Sequence, residues 1–498
     1  MRSLTKFVHL YFSLFVLLLA LSISTAHSSS TIPIIPGATG YGSHTTAGSG
    51  RYPGQGGSTV YKVTNLNPNG VGSLQECIYA SGPRTCVFEV SGTIDLTGDK
   101  SYGGSEYINL KNSFITIAGQ TAPSPGITVK GKTLRIEAHD VLIQHLRFRL
   151  GDSLQVANRP DVRDTILISG NNDYAHRTPH NIVIDHCSVS WGVDEVMSIK
   201  DSSHSITLTN NIISEGLDRS LHPKGRHSKG LMAVGNKLSI YRNLITNIQD
   251  RAPLDISPDA EYVNNLSHNA KYATLWPISR SSFFTQERFQ RQAKFVANVR
   301  GRGSNTADRG ENVWGKANSQ LSSDAQIHAQ DNHCVEDDQS LVRCDLMKDG
   351  EALNNADLAL PADLDVWPAH QVSRNISLNV GARPLDRDAV DRRLIQEVAS
   401  NSGKAPDCVS AEPIYYPSGS VAYAEWNRIV VDLGHCYAGR FDGQEVEVYA
   451  GAGQGQTRTV VEHTCSASGA NSLLVDSKWL PAVNKTSRIH IKLSLIHI

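Results

Sequence analysis

The chain has 498 residues with 47 basic and 48 acidic side chains, and its net charge of −1 excludes a globally basic nucleic-acid binder. Any grip on a polyanion must come from a local patch. Forty glycines and 20 prolines beside 40% hydrophobic residues describe a loop-rich, β-rich globular protein rather than a disordered one, and the length permits two or three domains.

Residues 1–26 read as a signal peptide. Arg2 and Lys6 form a basic start, an apolar run follows to about Leu21, and Ser24-Thr25-Ala26 supplies small residues for cleavage. A membrane anchor would want a longer apolar run, and no second span exists, so the expectation is a secreted protein with no membrane attachment after cleavage. All eight cysteines follow this segment, in a compartment where disulfides persist. Cys77 with Cys86 and Cys334 with Cys344 would close short loops, and Cys436 with Cys465 is a plausible third pair. Cys187 lies in an apolar strand and reads as a buried free thiol, while Cys408 has no clear partner.

Residues 35–408 carry a repeat. The runs IVIDHCS, ITLTNNI, LSIYRNL, EYVNNLS and KFVANV align on a polar turn position at Cys187, Asn211, Asn243, Asn265 and Asn298, at intervals of 24, 32, 22 and 33 residues; DVLIQHLRF (140–148) is a looser, earlier copy. Periods in the twenties with longer interruptions predict an all-β solenoid, a parallel β-helix with loops inserted between rungs. A sandwich with Asn-rich turns is the competing architecture, but its turns recur at shorter intervals. The repeated asparagine predicts an internal amide ladder. Asn265 then points inward and is a poor glycan acceptor, whereas the sequons at Asn375 and Asn484 are candidate sites.

Residues of about 345–405 turn acidic and partly helical, with helical spacing from Asp386 to Val398, and are expected to cap the solenoid. Residues 410–493 read as a separate small β-module. Its GAGQGQTRT and later Trp-Leu-Pro are similar to modules of extracellular glycan-active proteins, and a plain cap and a carbohydrate-binding role both stay open. The final KLSLIHI lacks turn or terminus logic and reads as a truncation or a sequence artefact.

Between Arg219 and Arg251 the chain gathers Arg219, His222, Lys224, Arg226, His227 and Lys229, then Arg251-Ala252-Pro253, with Asp194-Glu195 just upstream. Arg251 lies as far beyond Asn243 as Glu195 lies beyond Cys187, which places both on one face of the solenoid. Cations facing carboxylates on neighbouring turns suit a polyanionic sugar held through a metal bridge.

Six strings now stand in a telling order: VYKVTNLNPNGVGSLQECI, CVFEVSGTIDL, ITIAGQTAPSPGI, LIQHLRFRLGD, IVIDHCSVSWGVDE and RAP. From about Gly37 to Arg393 the chain resembles the pectate lyase family, in the branch with a SWG-x-DE string. The resemblance implies a right-handed parallel β-helix, secretion, and calcium-assisted β-elimination of polygalacturonate or a related uronan by a monomeric enzyme. It assigns Arg251 as the base and Lys229 as the cation on the substrate carboxylate, with Lys224 as its competitor. Asp164 and Asp194 match calcium ligands. The second acid of the acid-x-x-x-Asp pair is absent, because Ser198 stands there. Glu195 compensates only if the rung is rotated or bulged. A further family arginine is Ile256 here, so substrate binding falls to Lys224, Arg226, Arg219 or His222. Asp185-His186 match a family element expected to hold loops together. A β-helix glycoside hydrolase and a non-catalytic glycan-binding β-helix remain as alternatives; the first wants carboxylates on one face, and the second follows if the lost acid at Ser198 ended catalysis.

Overall fold

The computed structural model describes residues 32–492, apart from 53, 55, 100–105, 153–161, 171–177, 201, 271–272, 276–290, 305–312, 318–320, 322–324, 337–339, 349–350, 354–355, 408–418, 426, 432–444, 466–470 and 481. The expected signal peptide, Cys408, Cys436 and all but the first residue of the final KLSLIHI therefore lie outside the described residues. Among the described residues no helix is long and apolar enough to cross a membrane.

Three ten-stranded sheets run side by side along a parallel β-helix. We call them A (from Thr59–Val63 to Gln326–Gln330), B (from Gly92–Asp95 to Leu341–Arg343) and C (from Tyr107–Leu110 to Glu351–Ala352), and from Arg84–Phe88 onward the chain visits them in that order. Pairing is parallel until the last turn, where the strands Leu341–Arg343 and Glu351–Ala352 fold back antiparallel. The alternation seen in the repeats becomes a stack of like side chains. In sheet A, Ile184, Leu208, Ile240, Tyr262 and Phe295 stand in one register column, all buried, and the last two rings stack at 4.9 Å. Each rung buries its apolar face only against its neighbours, so the solenoid core is continuous.

The turn from A to B takes two residues and has a fixed chemistry. The first adopts the left-handed region at His186, Asn210, Arg242, Asn264, Ala297 and Asp331, with φ between 49° and 56°. The second is Cys187 or an asparagine, and these form the ladder. The N–H of Cys187 donates to Asn211 Oδ1 at 2.8 Å, and the chain of amides continues through Asn243, Asn265 and Asn298 to Asn332. Each interior amide donates to an adjacent backbone carbonyl and to the next Oδ1, so no polar atom is wasted in a dry turn. Asn265 is therefore unavailable to a glycan, whereas Asn484 is exposed. Cys187 heads the ladder as a buried free thiol, and the pairs Cys77–Cys86 and Cys334–Cys344 are bonded as expected. Asn243→Ala strips the backbone N–H and the amide of Asn211 of their acceptor in a fully buried turn. The expected loss of stability is about 2–4 kcal/mol, read from the urea midpoint at constant slope; a loss below ~1 kcal/mol would mean the ladder merely fills space.

The acidic segment differs from the expected cap. Residues 345–352 still belong to the last turn, and the helices Ala369–Asn379 and Ala389–Ala399 lie along the flank of sheet B, across several rungs. Asp388 caps the second helix by accepting the Asp391 N–H at 2.8 Å. Asp391 is fully buried between Arg149 Nη2 (2.8 Å) and Ser188 Oγ (2.6 Å). Further along, Glu397 accepts from Asn247 at 2.6 Å and Arg393 meets Glu215 at 2.8 Å. A helix side that sheds water needs apolar residues; this one also answers buried arginines, which is why its sequence reads as acidic.

Between residues 419 and 492 six strands close into a small barrel filled by Ile429, Val446, Val448, Leu473 and Ile491. Its Trp479 is buried, with Arg458 stacked 5.2 Å from the ring, so this tryptophan offers no exposed platform for a sugar.

Candidate active site

The charged residues of the candidate site gather at one place in the rung, the turn from sheet B into sheet C and the first residue of the strand beyond it. The strands that follow it are Ile166–Ile168, Glu195–Ile199, Lys229–Ala233 and Leu254–Asp255, on four successive turns. Glu195 pairs in register with Lys229, and Lys229 with Asp250, so Arg251 stands one residue beyond that column. Its backbone is left-handed (φ 63°), and its guanidinium Nη1 ion-pairs with Glu195 Oε1. The shared face anticipated for Glu195 and Arg251 is therefore a direct contact.

Asp164, Asp194 and Glu195 present carboxylate oxygens within 4.8 Å of one another. Asp194 and Glu195 are sequence neighbours, and an undistorted strand would send them to opposite faces. A bend resolves the conflict: the N–H groups of Val193 and Asp194 both donate to Arg163 O, at 3.0 and 3.1 Å, and only then does the strand begin. This is the local distortion that the Ser198 departure required. The Glu195 N–H in turn donates to Asp164 Oδ1 at 3.1 Å, and Ser198 Oγ lies 3.4 Å from Glu195 Oε2.

The cluster is electrostatically loaded. Asp164 is fully buried and its Oδ2 has no hydrogen-bond partner among the described residues, with Lys200 Nζ 3.8 Å away. Burial, with Asp194 adding to it and Lys200 opposing, pushes the Asp164 carboxyl up to about 7. Burial also works against ionised Asp194, but hydrogen bonds from His222 and His227 prevail and hold it well below the ordinary carboxylate range. Burial draws Arg251 below its usual value, opposed by the Asp194 and Asp164 carboxylates. Three carboxylates, one with an orphaned buried oxygen, are a hard-oxygen donor set, and they fit a calcium ion.

The basic run upstream looks different once folded. Lys229 Nζ binds Asp250 at 2.7 Å, Arg226 closes on Asp218 at 2.6 and 2.9 Å, and Arg219 lies 3.9 Å from Asp407. Lys224 is exposed. His222, expected to face substrate, is 2% exposed and packs behind Asp194, which corrects that expectation: its ring nitrogens are already engaged by Asp194 and by the Lys224 N–H. Sequence reasoning passed over Asp250, Asp218 and the role of His227; the acids do not stand out in the sequence, because what selects them is the cation brought opposite each one. Asp185 and His186 lie elsewhere, at the turn from A to B. They pair at 2.7 Å, and Asp185 also accepts from Gln144 and Asn210, a bonding set that ties three rungs together as anticipated.

No family model matches the chain. Curated relatives do: the probable pectate lyase C of Aspergillus oryzae is 33% identical over 248 residues, 50% of each chain, and that of Aspergillus terreus is 34% identical over 251 residues, again 50% of each. Over that stretch the chain is similar to these probable pectate lyases. It spans about half the length of the curated pectate lyases it matches. The solved pectate lyase Bsp165PelA from Bacillus sp. N165, in complex with trigalacturonate, covers 69% of this chain and 98% of its own at 16% identity and a TM-score of 0.46, a likeness too loose to bear on function.

Proposed function

We propose that this chain is a secreted polysaccharide lyase that cleaves polygalacturonate or a related uronan by calcium-assisted β-elimination. The observation that carries the reading is the convergence of Asp164, Asp194 and Glu195 beside Arg251 and Lys229 on consecutive rungs. In a uronate the proton on C5 is weakly acidic, because its loss puts charge onto the adjoining carboxylate, and groups that neutralise that carboxylate lower the barrier. Asp164, Asp194 and Glu195 would hold the calcium ion, whose positive charge stabilises the developing anion. Lys229, released from Asp250, meets the same carboxylate, and exposed Lys224 and Arg226 are the candidates for further contacts with the polyanion. Arg251 takes the C5 proton. The C4–O bond then breaks, a C4=C5 double bond forms, and the departing oxygen gains a proton from solvent, so no water is added across the linkage.

A guanidinium is an unusual base, since it ordinarily stays protonated. Two features of this site favour it: burial already lowers the affinity of Arg251 for its proton, and a cation among the carboxylates would offset the acids that raise it. A glycoside hydrolase sits poorly with the same geometry. It needs a free pair of carboxyl groups flanking the scissile bond, whereas Glu195 is tied to Arg251 and Asp194 to His227.

The test is incubation with polygalacturonate, with and without a calcium chelator. A lyase produces an ultraviolet-absorbing unsaturated end that chelator suppresses. Reducing ends without that absorbance would mean hydrolysis, and neither signal would mean a glycan-binding protein.

A further inference from the structure

We infer that His222 and His227 are positioning residues for Asp194, supplied by an inserted loop that makes up for the acid missing at Ser198. This inference rests on the calcium reading above.

The loop is an insertion by length. The turns from sheet B to C span residues 191–194 and 249–253 on the neighbouring rungs but 215–228 on this one, which accounts for the 32-residue interval in the repeat. It is firmly held. Leu217 and Leu221 are buried, the Asp218 N–H donates to Pro406 O at 2.7 Å, and the His227 N–H returns to Asp218 O at 2.8 Å. The Arg226 guanidinium locks onto Asp218 Oδ2, and Ser228 closes back on Leu217 O at 2.9 Å. From the far side, Arg393 and the Trp191 indole N–H both bind Glu215, the first residue of the loop, at 2.8 and 2.9 Å.

What this scaffold presents is a pair of imidazoles stacked at 3.6 Å and nearly parallel (10°), both aimed at one oxygen. His227 Nε2 is 2.8 Å and His222 Nε2 3.5 Å from Asp194 Oδ1. The same three groups could be read as metal ligands, but the Lys224 N–H donates to His222 Nδ1 at 3.2 Å. That contact leaves the proton on Nε2, so His222 faces Asp194 as a donor and not as a lone pair. Both rings are buried, so the donors are fixed before any ligand arrives. Asp194 hangs from a bend, with no neighbouring acid at 198 to share the ligand role. Two donors on Oδ1 stop its carboxylate from rotating away and leave Oδ2 as the oxygen with no histidine on it, as partners behind a metal ligand do elsewhere.

The comparison that tests this is His227→Phe against His227→Gln, with the same pair at His222. Phenylalanine keeps the stacking and removes the donor; glutamine offers an N–H at a similar reach. Calcium would be titrated calorimetrically into each folded variant in the presence of galacturonate, which has no glycosidic bond to eliminate, and calcium half-saturation of cleavage would be measured in parallel. The phenylalanine variants should weaken calcium about 10- to 100-fold, with the glutamine variants within about threefold of the unaltered chain. Equal losses with both replacements would reduce the histidines to packing and overturn the inference. Unaltered calcium binding in the phenylalanine variants, where Asp194→Ala does weaken it, would overturn it too. If Asp194→Ala itself leaves calcium binding unchanged, the calcium reading has failed and the positioning role with it. Should His227→Phe not fold, the His222 pair decides.

Discussion

Arg251→Lys should lower the rate of uronan cleavage about 10³-fold, ~4 kcal/mol of transition-state stabilisation, while the melting temperature stays within a few degrees. The substitution is chosen because it spares the structural duties of the residue. A lysine keeps a positive charge beside Glu195, which is buried and would be costly to leave alone, and it pays no new conformational cost at φ 63°, since arginine bears the same one. What is lost is the planar fork and its reach toward C5, which a point charge on a flexible stem does not reproduce. Initial rates from ultraviolet absorbance, set beside thermal melting, separate the two contributions. Activity above a tenth of the unaltered chain would remove Arg251 from the role of base.

The second large effect concerns the metal. Asp194→Ala and Asp164→Ala should each raise the calcium needed for half-maximal cleavage at least tenfold, because affinity for this ion follows the number of charged oxygens in reach. Ser198→Asp should lower it several-fold. Ser198 is buried and 3.4 Å from Glu195, so an aspartate there would enter the existing cluster. Without calcium that same variant adds a fourth acid to a crowded, water-poor site and should melt at lower temperature. With calcium it should recover more than the unaltered chain does, and melting curves at two calcium concentrations read the difference. Full activity in excess chelator would show that the Lys and Arg side chains neutralise the substrate carboxylate by themselves.

The fold was legible because a β-helix writes itself repeatedly. Ile182, Ile206 and Leu238 fall in register through nothing more than alternation and a recurring turn, and the ladder asparagines are their own evidence. The flank helices were less readable. Asp388 and Asp391 look like surface acids until Arg149 is seen to approach them from over two hundred residues away. Of the site, Arg251, Lys229, Asp164, Asp194 and Glu195 were all picked out by motif and resemblance, and the fold stacks them on consecutive rungs. Their partners were not, because Asp250, Asp218 and His227 belong to no spacing rule.

The sequence by itself determined the solenoid, its period, the inward asparagines and the identity of the chemical groups on the candidate face, and it offered the two short-loop cysteine pairs that the structure bonds. Only the tertiary structure decided how those groups are used. It closed most of the basic run onto acids, turned His222 inward, and bent the chain at Val193–Asp194 so that adjacent acids converge. Repeats are local and additive along the chain, so residue order states them directly. Ion pairing and carboxylate convergence depend on distances across rungs, and those are set by loop length and by a backbone bend that no residue type announces.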